Sequence, residues 1–133
     1  MDRNKINAVL IDPSRCMITE VKLDSPTRLA EIYKLLDVQL IDIVRFDRRN
    51  NMYIDDEGLL KDNFFFSVRG RKYAGKGLIV GATDPTGHDT DSRVSWFDLS
   101  NVTFHGFLKM SDPAFPHRFI EVIDFNEEDS PDV

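Results

Sequence analysis

The chain has a single cysteine, Cys16, among 133 residues, which excludes an internal disulfide framework and predicts a reducing compartment. No stretch approaches the roughly 20 consecutive apolar residues of a membrane span. The one early apolar run, Ala8–Ile11, is too short for a secretory core, so a cytoplasmic protein without membrane contact is expected. Repeats, low-complexity tracts and linkers are lacking too, and the length suits one domain able to bury a core. Asn101-Val102-Thr103 has the letters of a glycosylation sequon, which is silent without secretion.

Positive net charge is also missing, since 23 acids face 17 bases for a net −6. Six of those acids lie in residues 119–133, where Lys and Arg are absent, leaving 17 acids against 17 bases in 1–118. The body is therefore neutral. A nucleic-acid mimic would need acids spread over a folded face, so the sequence predicts a domain over 1–125 and a solvated acidic tail over 126–133.

What is abundant is phenylalanine, with nine of its ten copies from residue 64 onward. Such rings bury large areas, and a core built on them is expected, Phe107, Met110, Phe115 and Phe119 included. Cys16 is assigned a buried structural role.

Asn7–Ile11 and Met17–Leu23, joined by Asp12-Pro13-Ser14-Arg15, read as a β-hairpin whose alternation slips near Glu20. Ser25-Pro26 opens a helix over 25–37, its apolar stripe Leu29, Ile32, Tyr33 and Leu36. This is the only helix the pattern supports. Strands are expected over Val38–Phe46, Met52–Ile54, Phe64–Arg69, Gly77–Thr83, Val94–Phe97, Val102–Leu108 and Phe119–Phe125, with a helical turn at Leu59–Asn63. Asp84–Ser92 reads as a mobile loop. Short polar connections imply antiparallel pairing. The fold class is α+β, a mainly antiparallel sheet with one amphipathic helix packed on it.

Gly70-Arg71-Lys72-Tyr73-Ala74-Gly75-Lys76 spells G-x-x-x-x-G-K, but Gly77 and strand residues follow where a phosphate loop needs Ser or Thr and a helix. A looser reading makes Arg69, Arg71, Lys72, Tyr73 and Lys76 a nucleotide-binding loop, with Tyr73 stacking on a base. The plainer alternative is a charged hairpin turn. Asp55, Asp56 and Glu57, with Lys61, could hold a divalent metal and activate water, or could form a turn with a Glu57–Lys61 pair. Asp84, His88, Asp89 and Asp91 offer another set of cation ligands in a polar loop. No cofactor is implied, and no Cys–His or Ser–His pair follows from spacing.

Ala8–Pro13, Ile18–Val21, Ile32–Leu36, Tyr53–Leu60 and Ala74–Gly81 together carry a likeness. The chain resembles a family of short, uncharacterised proteins of bacteriophages and other mobile elements that share the Asp55-Asp56-Glu57-Gly58-Leu59-Leu60 segment. The resemblance implies an origin, and a host component, defence protein or signalling nucleotide as partner. Three functions follow as expectations. The first is a non-enzymatic binding protein, with homo-oligomer surfaces possible. The alternatives are a metal-dependent hydrolase of nucleic acid or nucleotide, and a virion structural or assembly protein.

Overall fold

The computed structural model describes residues 5–24 and 28–111. Strands β1 (Lys5–Asp12) and β2 (Met17–Asp24) precede helix α1 (Arg28–Leu36), and β3 (Ile41–Arg45) and β4 (Asn50–Asp55) follow it. A 3-10 turn at Gly58–Leu60 leads to β5 (Asn63–Val68), β6 (Arg71–Ala74) and β7 (Gly77–Gly81). A single helical turn, α2 (Trp96–Leu99), and β8 (Thr103–Leu108) complete the described chain. Five strands form one sheet in the order β2-β1-β7-β4-β3, three form a second in the order β6-β5-β8, and these strands pair antiparallel throughout. The α+β class read from the sequence holds.

The large sheet is covered on both faces. Ala8, Leu78 and Val80 face α1 and meet Leu23, Ile32 and Leu36. Val9, Ile11, Met52 and Ile79 face the small sheet and meet Phe66, Val68 and Tyr73. A strand buried on both sides needs an unbroken apolar run, which is why Ala8–Ile11 and Leu78–Val80 do not alternate. Each fully buried aliphatic residue of β7 contributes about 2 kcal/mol (Leu78, Ile79 and Val80 have no exposed surface). The apparent slip near Glu20 has the same cause: the β1–β2 ladder is unbroken, and Ile18 joins one core while Val21 and Leu23 join the other.

Local chemistry moves several boundaries. Asp37 takes φ 56° and closes α1, with Asp37 N–H and Val38 N–H both donating to Tyr33 O, so Val38–Leu40 turn and β3 begins only at Ile41. Leu29 is 57% exposed, and Arg28 takes the inward place instead. Val94–Phe97 is not a strand: Ser95 and Asp98 exchange bonds in a capping box that starts α2. The loop expected between β5 and β7 contains β6, reached by a two-residue turn with Arg69 at φ 56° and Gly70 at φ 79°. Cys16 is exposed, at φ 53° in the first hairpin turn, rather than buried. Phe107 and Met110 are also exposed. Ser25-Pro26, the strand over Phe119–Phe125, Phe115-Pro116-His117 and the acidic tail lie outside the described residues.

The stretch Asp84–Ser92 is fastened rather than loose. Asp84 Oδ1 accepts bonds from Thr86 N–H, Thr86 O–H and His88 N–H, and the Thr86 hydroxyl leads in holding its carboxyl below the usual carboxylate range. Gly81 bridges Thr90, and Ser92 N–H donates to Asn7 O. Asp89 is paired with Arg28 Nε at 3.2 Å and accepts the Tyr53 hydroxyl at 2.9 Å. Burial, then that hydrogen bond, pushes the Tyr53 phenol well above its ordinary range, against a small opposing effect of Arg28.

Candidate functional site

The basic segment is dispersed by the period-2 geometry of β6. Tyr73 is buried with its ring 5.3 Å from that of Phe66, and burial pushes its phenol upward. Arg69 Nη1 donates to Phe46 O at 2.5 Å, its guanidinium lies 4.9 Å above the Phe46 ring, and Nη2 reaches Asp47. Lys76 donates to Leu35 O at the end of α1. Arg71 shares the Tyr73 face of β6, while Lys72 shares the outer face with Ser67 and His105. The five residues do not converge as one nucleotide loop.

The acidic triplet separates as well. Asp55 is buried, accepts Glu57 N–H at 2.9 Å and pairs with Lys61 Nζ at 2.8 Å, so Lys61 partners Asp55 and not Glu57. Asp56 is exposed and its N–H donates to Leu40 O. In the polar loop, Asp89 is held by Arg28 and Tyr53 while Asp91 accepts Asn7 N–H. Among the described residues, no three His, Cys, Asp or Glu side chains gather where they could hold a metal. One pairing escaped the sequence: Ser67 Oγ and His105 Nε2 lie 2.7 Å apart, brought together by the β5–β8 pairing and its bulge. Burial, then the Lys72 charge, lowers the His105 pKa.

Two surfaces stand out among the described residues. The first lies at the end of the sandwich where β3 turns into β4. Asn50, buried, donates to Asp47 at 2.9 Å and accepts Arg93 N–H at 2.7 Å, and Asp47 in turn meets Arg69. This chain of bonds ties the 47–50 turn, the 69–70 turn and the segment leading to α2 into one surface, with Arg48, Arg49, Arg69 and Arg93 exposed on it. Three residues beyond Arg93, Trp96 is 62% and Phe97 78% exposed. They stand on a turn fixed from below by buried Leu99 and at its start by the capping box. Adjacent exposed aromatics of this size are unusual on a free surface.

The second is a groove of about 280 Å³ between the edge strands of the two sheets. Val44, Ile54, Leu59, Leu60, Tyr73 and Ala74 line it, with Asp42, Asp55, Asp56 and Lys72 around them. Gly58 closes the β6 edge, because a Cβ there would come within 2.8 Å of Ala74 O.

The chain belongs to the family described as a domain of unknown function, DUF3846, whose profile matches residues 6–97. Over 61 residues it is 38% identical to an uncharacterised protein, y4iR, of Sinorhizobium fredii. That stretch covers 46% of this chain and 38% of the relative's length. No solved structure matches the chain.

Proposed function

We propose that this is a non-enzymatic binding protein that engages another protein through Trp96, Phe97 and Arg93 just before them. The observation that carries the reading is the aromatic pair itself, exposed on a capped turn that begins two residues after exposed Arg93. Trp and Arg dominate the energetics of protein interfaces, and rigid aromatics lose little freedom on docking.

Charge decides between the partner classes. A nucleic acid would find arginines and stacking rings here, but residues 1–118 are neutral and supply no net positive field to draw in a polyanion. A protein partner with an apolar pocket and a few rim carboxylates suits the same surface without needing one. The nucleotide variant further loses its stacking ring, since Tyr73 is in the core. In this reading the chain works in the cytoplasm. Descent from a mobile element, and a host or defence protein as partner, rest on the family resemblance alone.

The test is site-specific photocrosslinking in the native host, with the reactive side chain at position 97 and a control at exposed Leu29. A discrete adduct from position 97 only, lost on Trp96→Ala, is the expected result. Adducts of equal yield from both positions, or survival of the adduct in Trp96→Ala, would refute the assignment.

A further inference from the structure

We propose that the groove between β3 and β6 receives the Trp96–Phe97 turn of a second copy of this chain, so that the protein self-associates through two complementary surfaces. This rests on reading Trp96 and Phe97 as a contact surface, and it adds the groove as their acceptor.

The two surfaces are complementary in chemistry. One is an apolar projection that follows exposed Arg93, and the other an apolar recess beside exposed Asp42 and Asp56. The recess is walled by Val44, Ile54 and Leu60, and its exposed carboxylates are Asp42 and Asp56. Asp55 adds little charge because Lys61 neutralises it, and Lys72 offsets one carboxylate. At about 280 Å³ the space lies just below the range of pockets for whole small ligands, about 300–1,000 Å³, and suits one or two inserted side chains.

Side chains, not an added strand, are the expected occupants. The β3 edge is open, yet its Ile43 N–H is already taken by Asp42 Oδ1 at 2.8 Å, and Gly58 abuts the β6 edge at Ala74. Edges blunted in this way resist strand addition while leaving the recess between them accessible.

Projection and recess are different patches. Two copies that exchange turns reciprocally close as an isologous dimer, whereas copies that each feed the next form a heterologous chain. In either case self-association covers Trp96 and Phe97, and the surface offered to a foreign partner falls as the protein concentrates.

Sedimentation and light scattering of the full chain from micromolar to millimolar concentration test this. Growth from the 15.3 kDa of one chain to at least twice that mass is expected. Trp96→Ala/Phe97→Ala should weaken association at least tenfold, and so should Asp56→Lys, which alters an exposed side chain and leaves the Asp42–Ile43 bond in place. Mixing the two variants should restore a complex of two chains that neither forms alone, because one intact turn then meets one intact groove. A wild type that stays monomeric throughout, a groove variant that associates like wild type, or a mixture that stays monomeric would each overturn the inference. Its failure is separable from failure of the proposed function: the groove variant leaves position 97 intact, so crosslinking of a foreign partner there persists if only the self-association is wrong.

Discussion

Removing one carboxylate should release both the polar segment after β7 and the start of α1. Asp89 joins three elements: it pairs with Arg28 at 3.2 Å and accepts the Tyr53 hydroxyl at 2.9 Å. The side chains of Arg28 and Asp89 keep only 15% and 10% of their exposure. Asp89→Ala therefore strands a mostly buried guanidinium and leaves the Tyr53 hydroxyl without that acceptor. Breaking a buried pair by removing one partner costs about 3–5 kcal/mol. The residual exposure of the Arg28 side chain places this case at the lower end, about 3 kcal/mol. A loss of that size lowers the melting temperature of a domain this long by roughly 10 °C.

Tyr53→Phe should cost less, about 1.5 kcal/mol, because the ion pair survives it. Replacing both charges, as Arg28→Met/Asp89→Leu, should recover most of the loss, since desolvation largely cancels the attraction of such pairs. Urea denaturation of the three variants measures the ordering, and amide exchange should show loss of protection at residues 88–92 in Asp89→Ala. A change below about 0.5 kcal/mol in Asp89→Ala would refute the argument. So would a double variant as unstable as the single one.

Three smaller tests address other parts of the fold. Gly81→Ala drives a Cβ into Asp91 O and Thr90 Oγ1 and should cost about 1–3 kcal/mol, read as a lower denaturant midpoint; an unchanged midpoint contradicts that packing. Ser95→Ala removes the capping box and should cost about 1 kcal/mol, visible as faster amide exchange at residues 96–99 with the sheets unaffected. Because the folded state holds the His105 pKa below 6.5, its contribution to stability is present above pH 6.5 and is lost as pH falls through the lowered value. His105→Gln should flatten stability over that acid window, and an identical pH profile in the variant would dismiss the effect.

The fold was legible wherever one local rule controlled the backbone. The first hairpin follows from Asp12-Pro13-Ser14 chemistry, with Asp12 Oδ1 accepting both the N–H and the hydroxyl of Ser14. Ile32 and Leu36 marked the buried face of α1. Errors arose where tertiary context outweighed period. Val94–Phe97 carries strand-forming residues, yet Ser95 and Asp98 exchange two bonds and turn it into a helix. Leu29 fits an apolar stripe, yet Arg28 next to it is drawn inward by Asp89, a partner some 60 residues along the chain that no local window contains.

Density of charge in sequence does not become convergence in space, because successive strand residues point to opposite faces, and so Arg71 and Lys72 part company on β6. Asp55 and Asp56 separate likewise, one buried with Lys61 and the other in solvent. The exposed arginines at 48, 49, 69 and 93 come instead from two turns and the segment before α2, joined through Asn50 and Asp47. Asn50 is the residue that builds this surface, and nothing in its sequence setting separates it from an ordinary turn asparagine. Its signal is physical: a buried amide must satisfy its donors and acceptor, and here it does so only by holding the two turns against each other. Asn50→Ala should therefore free the segment from residue 93 to α2 and weaken crosslinking at position 97 while leaving Trp96 and Phe97 themselves untouched. Undiminished crosslinking in that variant would show that the aromatic turn acts without that support.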